Sequence, residues 1–203
     1  MAGTLPHAVF VETGIDDAGR AMAFAGELPG CATIADDPAT AAGGVPARVA
    51  AFVAWLRRCG EDLVEPVGNW YEVERAASTR GPDGGLRRAA FSLDELPPSA
   101  AEFETWLRWA ELAREELAAA LDARPSAADD LEWLAAQDAW LTTDLAPVPG
   151  IERRGSGLDR LYDARDALTA ALAAAGPGGT GVRRALRLAI ADDLRAVELL
   201  ATR

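Results

Sequence analysis

The chain has 203 residues, half of them hydrophobic and 26% charged, which is typical of one large or two small globular domains. Its formal net charge of −12 argues against a nucleic-acid partner, because phosphate neutralisation needs a concentrated basic surface. All 20 basic residues are arginine, which excludes lysine Schiff-base chemistry. The single histidine, His7, leaves no residue set for a zinc site or for Ser-His or Cys-His catalysis.

The sequence gives no membrane or export signal. No run approaches the roughly 18 apolar residues that a membrane span needs. The first residues lack the basic and apolar regions of a signal peptide, so a cytoplasmic protein is expected. In that compartment Cys31 and Cys59 are expected to be free thiols.

The first third of the chain predicts a small α/β module. β-branched and aromatic residues or alternation predict strands at 7–13, 20–28, 32–34 and 69–77. Asp36 or Asp37 followed by Pro38 predicts a helix start, and Cys59-Gly60 predicts its end. Gly43-Gly-Val-Pro46 predicts a break or kink inside that helix.

This order of elements resembles the HicB-like antitoxin domain over about residues 7–77. The resemblance depends on Glu27-Leu-Pro-Gly-Cys-Ala-Thr33 and on the helix end Trp55-Leu-Arg-Arg-Cys-Gly-Glu61. It implies a ββαβ-type module in residues 1–77, of a kind that pairs with a small basic toxin. One hypothesis is therefore an antitoxin-like protein that neutralises a small basic partner.

Residues 78–98 are rich in glycine and proline and are predicted to be a linker. The linker contains the arginines Arg80, Arg87 and Arg88. A solvated loop is the favoured interpretation, and an anion site is the alternative.

From Ser99 the hydrophobic period becomes helical. Ser99-Ala-Ala-Glu102 is a capping-box pattern, and Ser126-Ala-Ala-Asp129 opens a second helix that Pro147-Val-Pro-Gly150 ends. A third helix is predicted at 157–175, and Thr180 is predicted to cap a fourth. Residues 99–203 therefore predict a four-helix bundle, and the whole chain predicts an α+β fold.

The bundle pattern and the Arg114-Glu-Glu-Leu117 segment resemble the DinB-like family over about residues 91–203. That family implies a divalent metal held by histidines on the second and fourth helices, and it implies a homodimer. Here the corresponding positions are Trp133, Asp192 and Ala196. A histidine-bound metal is therefore not expected, and neither is any other cofactor.

Each predicted helix carries one charged residue near the middle of its apolar stripe: Arg114, Asp138, Arg165 and Asp193. We expect either an inter-helix ion-pair network in place of the metal, or a slight rotation of the helices that leaves these charges in water. An oxygen-ligand site for magnesium or manganese on Asp138, Asp192 and Asp193 is the less favoured alternative.

Four of the six tryptophans lie in the predicted bundle: Trp106, Trp109, Trp133 and Trp140. They are candidates for a pocket that binds an apolar ligand, although core filling is the commoner use of tryptophan. The leading hypothesis is a metal-free binding or interaction protein whose partner is a small molecule or a protein. The main alternative is a thiol transferase or isomerase that uses carboxylate-bound metal.

Overall fold

The computed structural model describes residues 6–82, 84–145 and 157–202. The fold is α+β, with a small four-stranded mixed sheet followed by helices, as the sequence predicts. The chain divides into two compact units, residues 1–93 and 94–203. The boundary between them lies inside the predicted linker 78–98.

The first unit contains a sheet with the strand order β3-β2-β1-β4. Strand β1 pairs antiparallel with β2 and parallel with β4, and β2 pairs antiparallel with β3. These elements confirm the four predicted strands, with the second shorter than expected. Their bounds, in order, are β1 His7–Thr13, β2 Ala21–Ala25, β3 Ala32–Ala35 and β4 Trp70–Ala77.

Helix α1, Pro38–Arg58, connects β3 to β4. It begins as predicted, because the Asp37 carboxylate accepts a hydrogen bond from the Thr40 amide at 2.9 Å. Of the predicted break or kink, the break is wrong, because the helix continues through Pro46. An interior proline costs about 3 kcal/mol. Pro46 is on the exposed side of α1, and the buried side chains of Ala41, Val45 and Val49 continue past it on the other side. Gly44 allows close approach to Thr33, whose hydroxyl donates to the Ala41 carbonyl oxygen.

Among the described residues, α1 alone is long and apolar enough to cross a membrane. Its buried side chains include Val49, Phe52, Val53 and Leu56, and the helix contacts β1, β2 and β3. Core helices of this kind meet the same criteria of length and composition as a membrane span.

The segment after β4 is part of the first unit and packs against its other residues. A hairpin, β5 Thr79–Arg80 and β6 Leu86–Arg87, leads into the buried side chains of Arg88 and Phe91. The expectation of a solvated loop is wrong for Arg88, whose guanidinium pairs with the buried Glu12 carboxylate at 3.0 and 2.9 Å. The Ala89 amide at 2.6 Å also donates to Glu12. Because its partner is a buried carboxylate of the same unit, Arg88 has a structural role.

The second unit is a bundle of four helices: α2 Ala100–Ala123, α3 Glu132–Leu145, α4 Gly157–Ala175 and α5 Val182–Ala201. Helix α2 packs along α5, α3 packs along α4, and α5 also contacts α3 and α4. One apolar cluster is formed by Leu117, Leu121, Ala128, Leu131, Leu134, Ala135, Leu161, Ala164, Ala196 and Leu200.

The helix starts agree with the sequence only in part. Both hydrogen bonds of the Ser99–Glu102 capping box are present. A 3-10 turn, Pro125–Leu131, precedes α3 where a helix start at Ser126 was predicted. Thr180 does not cap α5, because the residue before the helix is Gly181, whose φ of +79° suits glycine. The predicted helix end at 147–150 lies outside the described residues.

Candidate functional site: a buried charge cluster in the helical bundle

Three helices of the bundle bring charged side chains together in its interior. Arg165 on α4 lies between two aspartates, with its Nε 2.7 Å from Asp138 Oδ2 on α3 and its Nη2 paired with Asp193 Oδ1 on α5. All three side chains are at most 2% exposed. The mid-helix charges of α3, α4 and α5 therefore form a single buried cluster.

Arg114 of α2, the fourth predicted member, is placed differently. It is half-buried, and its Nη1 donates to the hydroxyl of Thr169 on α4 at 2.5 Å. Thr169 in turn donates to the backbone oxygen of Arg165 at 3.0 Å. Burial and the positive charge of Arg165 lower the pKa of Arg114. Arg114 therefore lies at the edge of the cluster and contacts it through a hydroxyl group.

The pKa values of the two aspartates are raised because burial removes water from their charged forms. Burial raises the pKa of Asp138 to about 6 and that of Asp193 to about 7, although Arg165 opposes both shifts. The buried Asp192 carboxylate raises both further. Burial also works against the charge on Arg165, but Asp138 and Asp193 outweigh it and raise the pKa of that residue. The cluster therefore takes up a proton near neutral pH while Arg165 stays charged.

The charged groups of the cluster are close enough to form ion pairs, but they are poorly oriented for hydrogen bonds. Among the described residues, Arg165 Nε, Asp138 Oδ2 and both carboxylate oxygens of Asp193 lack a hydrogen bond of adequate geometry. The ion pairs and the missing hydrogen bonds are compatible, because Coulomb attraction depends on separation and a hydrogen bond also depends on direction. Each buried polar group without a hydrogen bond costs about 1–3 kcal/mol. The cluster is thus strongly paired in charge and weakly satisfied in hydrogen bonding.

The same arrangement bears on the predicted oxygen-ligand metal site. Asp138, Asp192 and Asp193 are all buried, but the guanidinium of Arg165 pairs with two of them. A divalent cation at these carboxylates would meet the positive charge of Arg165 at close range. Within residues 6–82, 84–145 and 157–202, no group of three or more His, Cys, Asp or Glu side chains is arranged to hold a metal ion.

Trp133 and Ala196, the other two positions where the DinB-like resemblance implies a metal-binding histidine, both contact other residues of the bundle. The guanidinium of Arg195 lies 4.7 Å from the ring centroid of the half-buried Trp133. Ala196 is buried in the apolar cluster of the bundle.

Arginines of α5 lie against three of the four tryptophans that were predicted to line a pocket. Arg183 lies 4.5 Å from the ring centroid of Trp106, and Arg184 lies 5.2 Å from that of Trp140. Both are near the start of α5, whereas Arg195, which covers Trp133, is about 18 Å further along the helix. The rings of Trp106, Trp133 and Trp140 therefore serve as cation–π partners at two ends of the bundle. Trp109 is buried.

Two buried ion pairs were not predicted from the sequence. Arg187 of α5 contacts Asp94 with Nε at 3.2 Å and Nη2 at 2.6 Å, and Glu12 pairs with Arg88 in the first unit. Their partners are 93 and 76 residues apart, so no local pattern joins them. The sequence pattern indicated neither pair, because Arg88 lies in the predicted linker and Arg187 is not one of the charges predicted within the apolar stripes.

Comparison with known proteins finds no matching family model, no similar curated protein and no similar solved structure.

Proposed function

We propose that this chain is a non-catalytic, metal-free interaction protein of the cytoplasm, with a HicB-like N-terminal module and a DinB-like bundle. The supporting observation is the position of Arg165 between Asp138 and Asp193 in the interior of the bundle. A protein side chain provides the positive charge there that a metal ion would otherwise provide. The bundle then acts as a scaffold, and its partners bind at the protein surface.

Accessibility argues for binding over catalysis. Asp138 and Asp193 are the acids with pKa values near neutrality, which general acid–base catalysis requires. Both are at most 1% exposed and paired with Arg165, so a substrate cannot reach them without opening the bundle. Burial raises the pKa of the Cys31 thiol to about 12, which makes that cysteine a poor nucleophile.

The surface supports a protein partner better than an apolar small molecule. Arginines cover the rings of Trp106, Trp133 and Trp140, which are therefore less suited to bind a ligand. Large apolar side chains are instead exposed in the first unit, including Val64 at 86% and Val67 at 75%. Val64 and Val67 are only three residues apart in the sequence, and a contiguous exposed apolar patch is typical of a protein interaction site.

Metal analysis distinguishes this proposal from the thiol transferase or isomerase alternative. The purified chain, loaded with manganese, zinc or magnesium and then dialysed, is expected to retain less than stoichiometric metal by mass spectrometry. Asp138→Asn is the matched variant, and it should not change the metal content. Stoichiometric metal that survives dialysis in the wild type and is lost in Asp138→Asn would contradict the proposal and favour the enzyme.

A further inference from the structure

Strand β4 presents an open edge of the sheet. Among the described residues β4 pairs only with β1, so its other edge has no partner strand. The side chains of Tyr71 and Val73 on this strand are 53% and 58% exposed. An exposed strand edge with apolar side chains is a template for pairing with another strand.

A bulge in β4 places two opposite charges on one face of the sheet. Val9 pairs with Glu72, Phe10 pairs with Glu74 and Val11 pairs with Arg75, so Val73 is the extra residue. Because Val9 and Val11 share a face, Glu72 and Arg75 share it too. They form a two-point contact within the strand, with Arg75 Nε and Nη2 at 2.8 and 2.7 Å from the Glu72 oxygens. Both side chains are accessible at the open edge.

The sequence of β4, Trp-Tyr-Glu-Val-Glu-Arg-Ala-Ala, is complementary to itself when a second copy runs antiparallel. In the register centred between Val73 and Glu74, Glu72 lies opposite the partner subunit's Arg75. In the same register Trp70 and Tyr71 lie opposite the partner subunit's Ala77 and Ala76, so each large side chain meets a small one. Opposite charges and well-packed pairs across two strands each contribute about 0.2–1 kcal/mol.

The two neighbouring registers are disfavoured. A shift of one residue in either direction brings side chains of opposite faces together, for example Glu72 on the face of Val9 with the partner subunit's Glu74 on the face of Phe10. In one of the two directions it also puts Glu74 opposite the partner subunit's Glu74. Like charges directly opposite each other destabilise a strand pair. A two-fold axis also makes each favourable contact occur twice.

We propose that two copies of this chain pair through their β4 strands, antiparallel about a two-fold axis, to form one continuous sheet. The occupant of the open edge is a second copy, since the complementary charges and sizes are all present in this one strand. The pairing does not involve the charge cluster of the bundle, so it is independent of the metal content tested above.

Sedimentation velocity of the full chain tests the proposal with Glu72→Arg and Arg75→Glu. The wild type is expected to be a dimer. Each variant alone places like charges opposite each other twice, and its dimer dissociation constant is expected to rise at least about tenfold. Mixing the two variants should restore the dimer, because one chain then carries only positive and the other only negative side chains at the two positions.

Mixing the two variants distinguishes pairing between chains from the ion pair within one strand. In the mixture each chain still has two like charges in its own β4, so a restored dimer must come from contacts between the chains. Arg58→Glu, an exposed site on α1 with the same change of charge, is the control and should remain a dimer. Thermal unfolding checks that each variant is folded. A monomeric wild type, a dimer that neither variant weakens, or a mixture that stays monomeric would each overturn the proposal.

Discussion

Replacing Arg165 with methionine should destabilise the bundle strongly. The variant keeps a long side chain of similar shape but leaves Asp138 and Asp193 buried without their cation. Because Arg165 lowers the pKa values of both aspartates, its loss raises those values further, and both carboxyls must be protonated or hydrated in the folded state. Removing one partner from a buried ion pair typically costs about 3–5 kcal/mol. We expect a loss of unfolding free energy in that range at pH 7.

Urea unfolding, followed by helical circular dichroism and tryptophan fluorescence, measures this loss. Arg160→Met is the matched control on the same helix, because Arg160 pairs at 2.6 Å with Glu132, whose side chain is 71% exposed. Exposed pairs contribute about 0–1 kcal/mol, so this variant should change stability little.

A rescue variant tests whether the unpaired charges cause the loss. Combining Arg165→Met with Asp138→Asn and Asp193→Asn removes those charges and should recover part of the lost stability. A loss for Arg165→Met no larger than that for Arg160→Met, or no recovery when both aspartates are neutralised, would contradict a stabilising role for the Arg165 ion pairs.

Three further predictions concern pH, an aromatic contact and the first unit. The folded pKa values of Asp138 and Asp193, about 6 and about 7, exceed the ordinary value of 3.8, so their contribution to stability is fully present below pH 4 and is lost as the pH rises through 6 to 7. Urea unfolding at pH 5 and pH 8 should therefore show a smaller fall in Asp193→Asn than in the wild type, and equal falls would refute the assignment. Arg195→Met removes the cation over Trp133 and should cost about 0.5–1 kcal/mol with a change in tryptophan emission, whereas unchanged emission would argue against the contact. Glu12→Gln leaves the buried Arg88 charge without its carboxylate and should lower the unfolding free energy of the first unit by about 3–5 kcal/mol, which chemical denaturation measures; a loss below 1 kcal/mol would show that the pair is not structural.

The sequence predicted the helix starts that depend on hydrogen bonds between residues close together in the chain. Asp37 with Pro38 fixed the start of α1, and Ser99 with Glu102 fixed the start of α2, because each cap bonds within three residues. The break at Gly43–Pro46 was wrong because packing of α1 against the sheet outweighs the cost of an interior proline.

Helical periodicity predicted which charges lie in the apolar stripes, but it did not predict how those charges are arranged in the bundle. Spacing indicated that Asp138, Arg165 and Asp193 lie near the middle of apolar stripes, and the structure brings them together. Periodicity does not fix the rotation of one helix against another, so it could not show that Arg114 lies at the edge of the cluster. No local pattern gave a partner for Arg88 either, because the Glu12 carboxylate with which it pairs is 76 residues away in the sequence.

Arg165 lies between Asp138 and Asp193 in the interior of the bundle, where we propose that it takes the place of a metal ion. A crystal of the full chain soaked in manganese chloride and measured for anomalous scattering tests this claim most directly. We expect no anomalous peak within about 2.6 Å of the Asp138 or Asp193 oxygens, with the Arg165 guanidinium between the two carboxylates. A peak between those carboxylates, with Arg165 turned away, would contradict the claim.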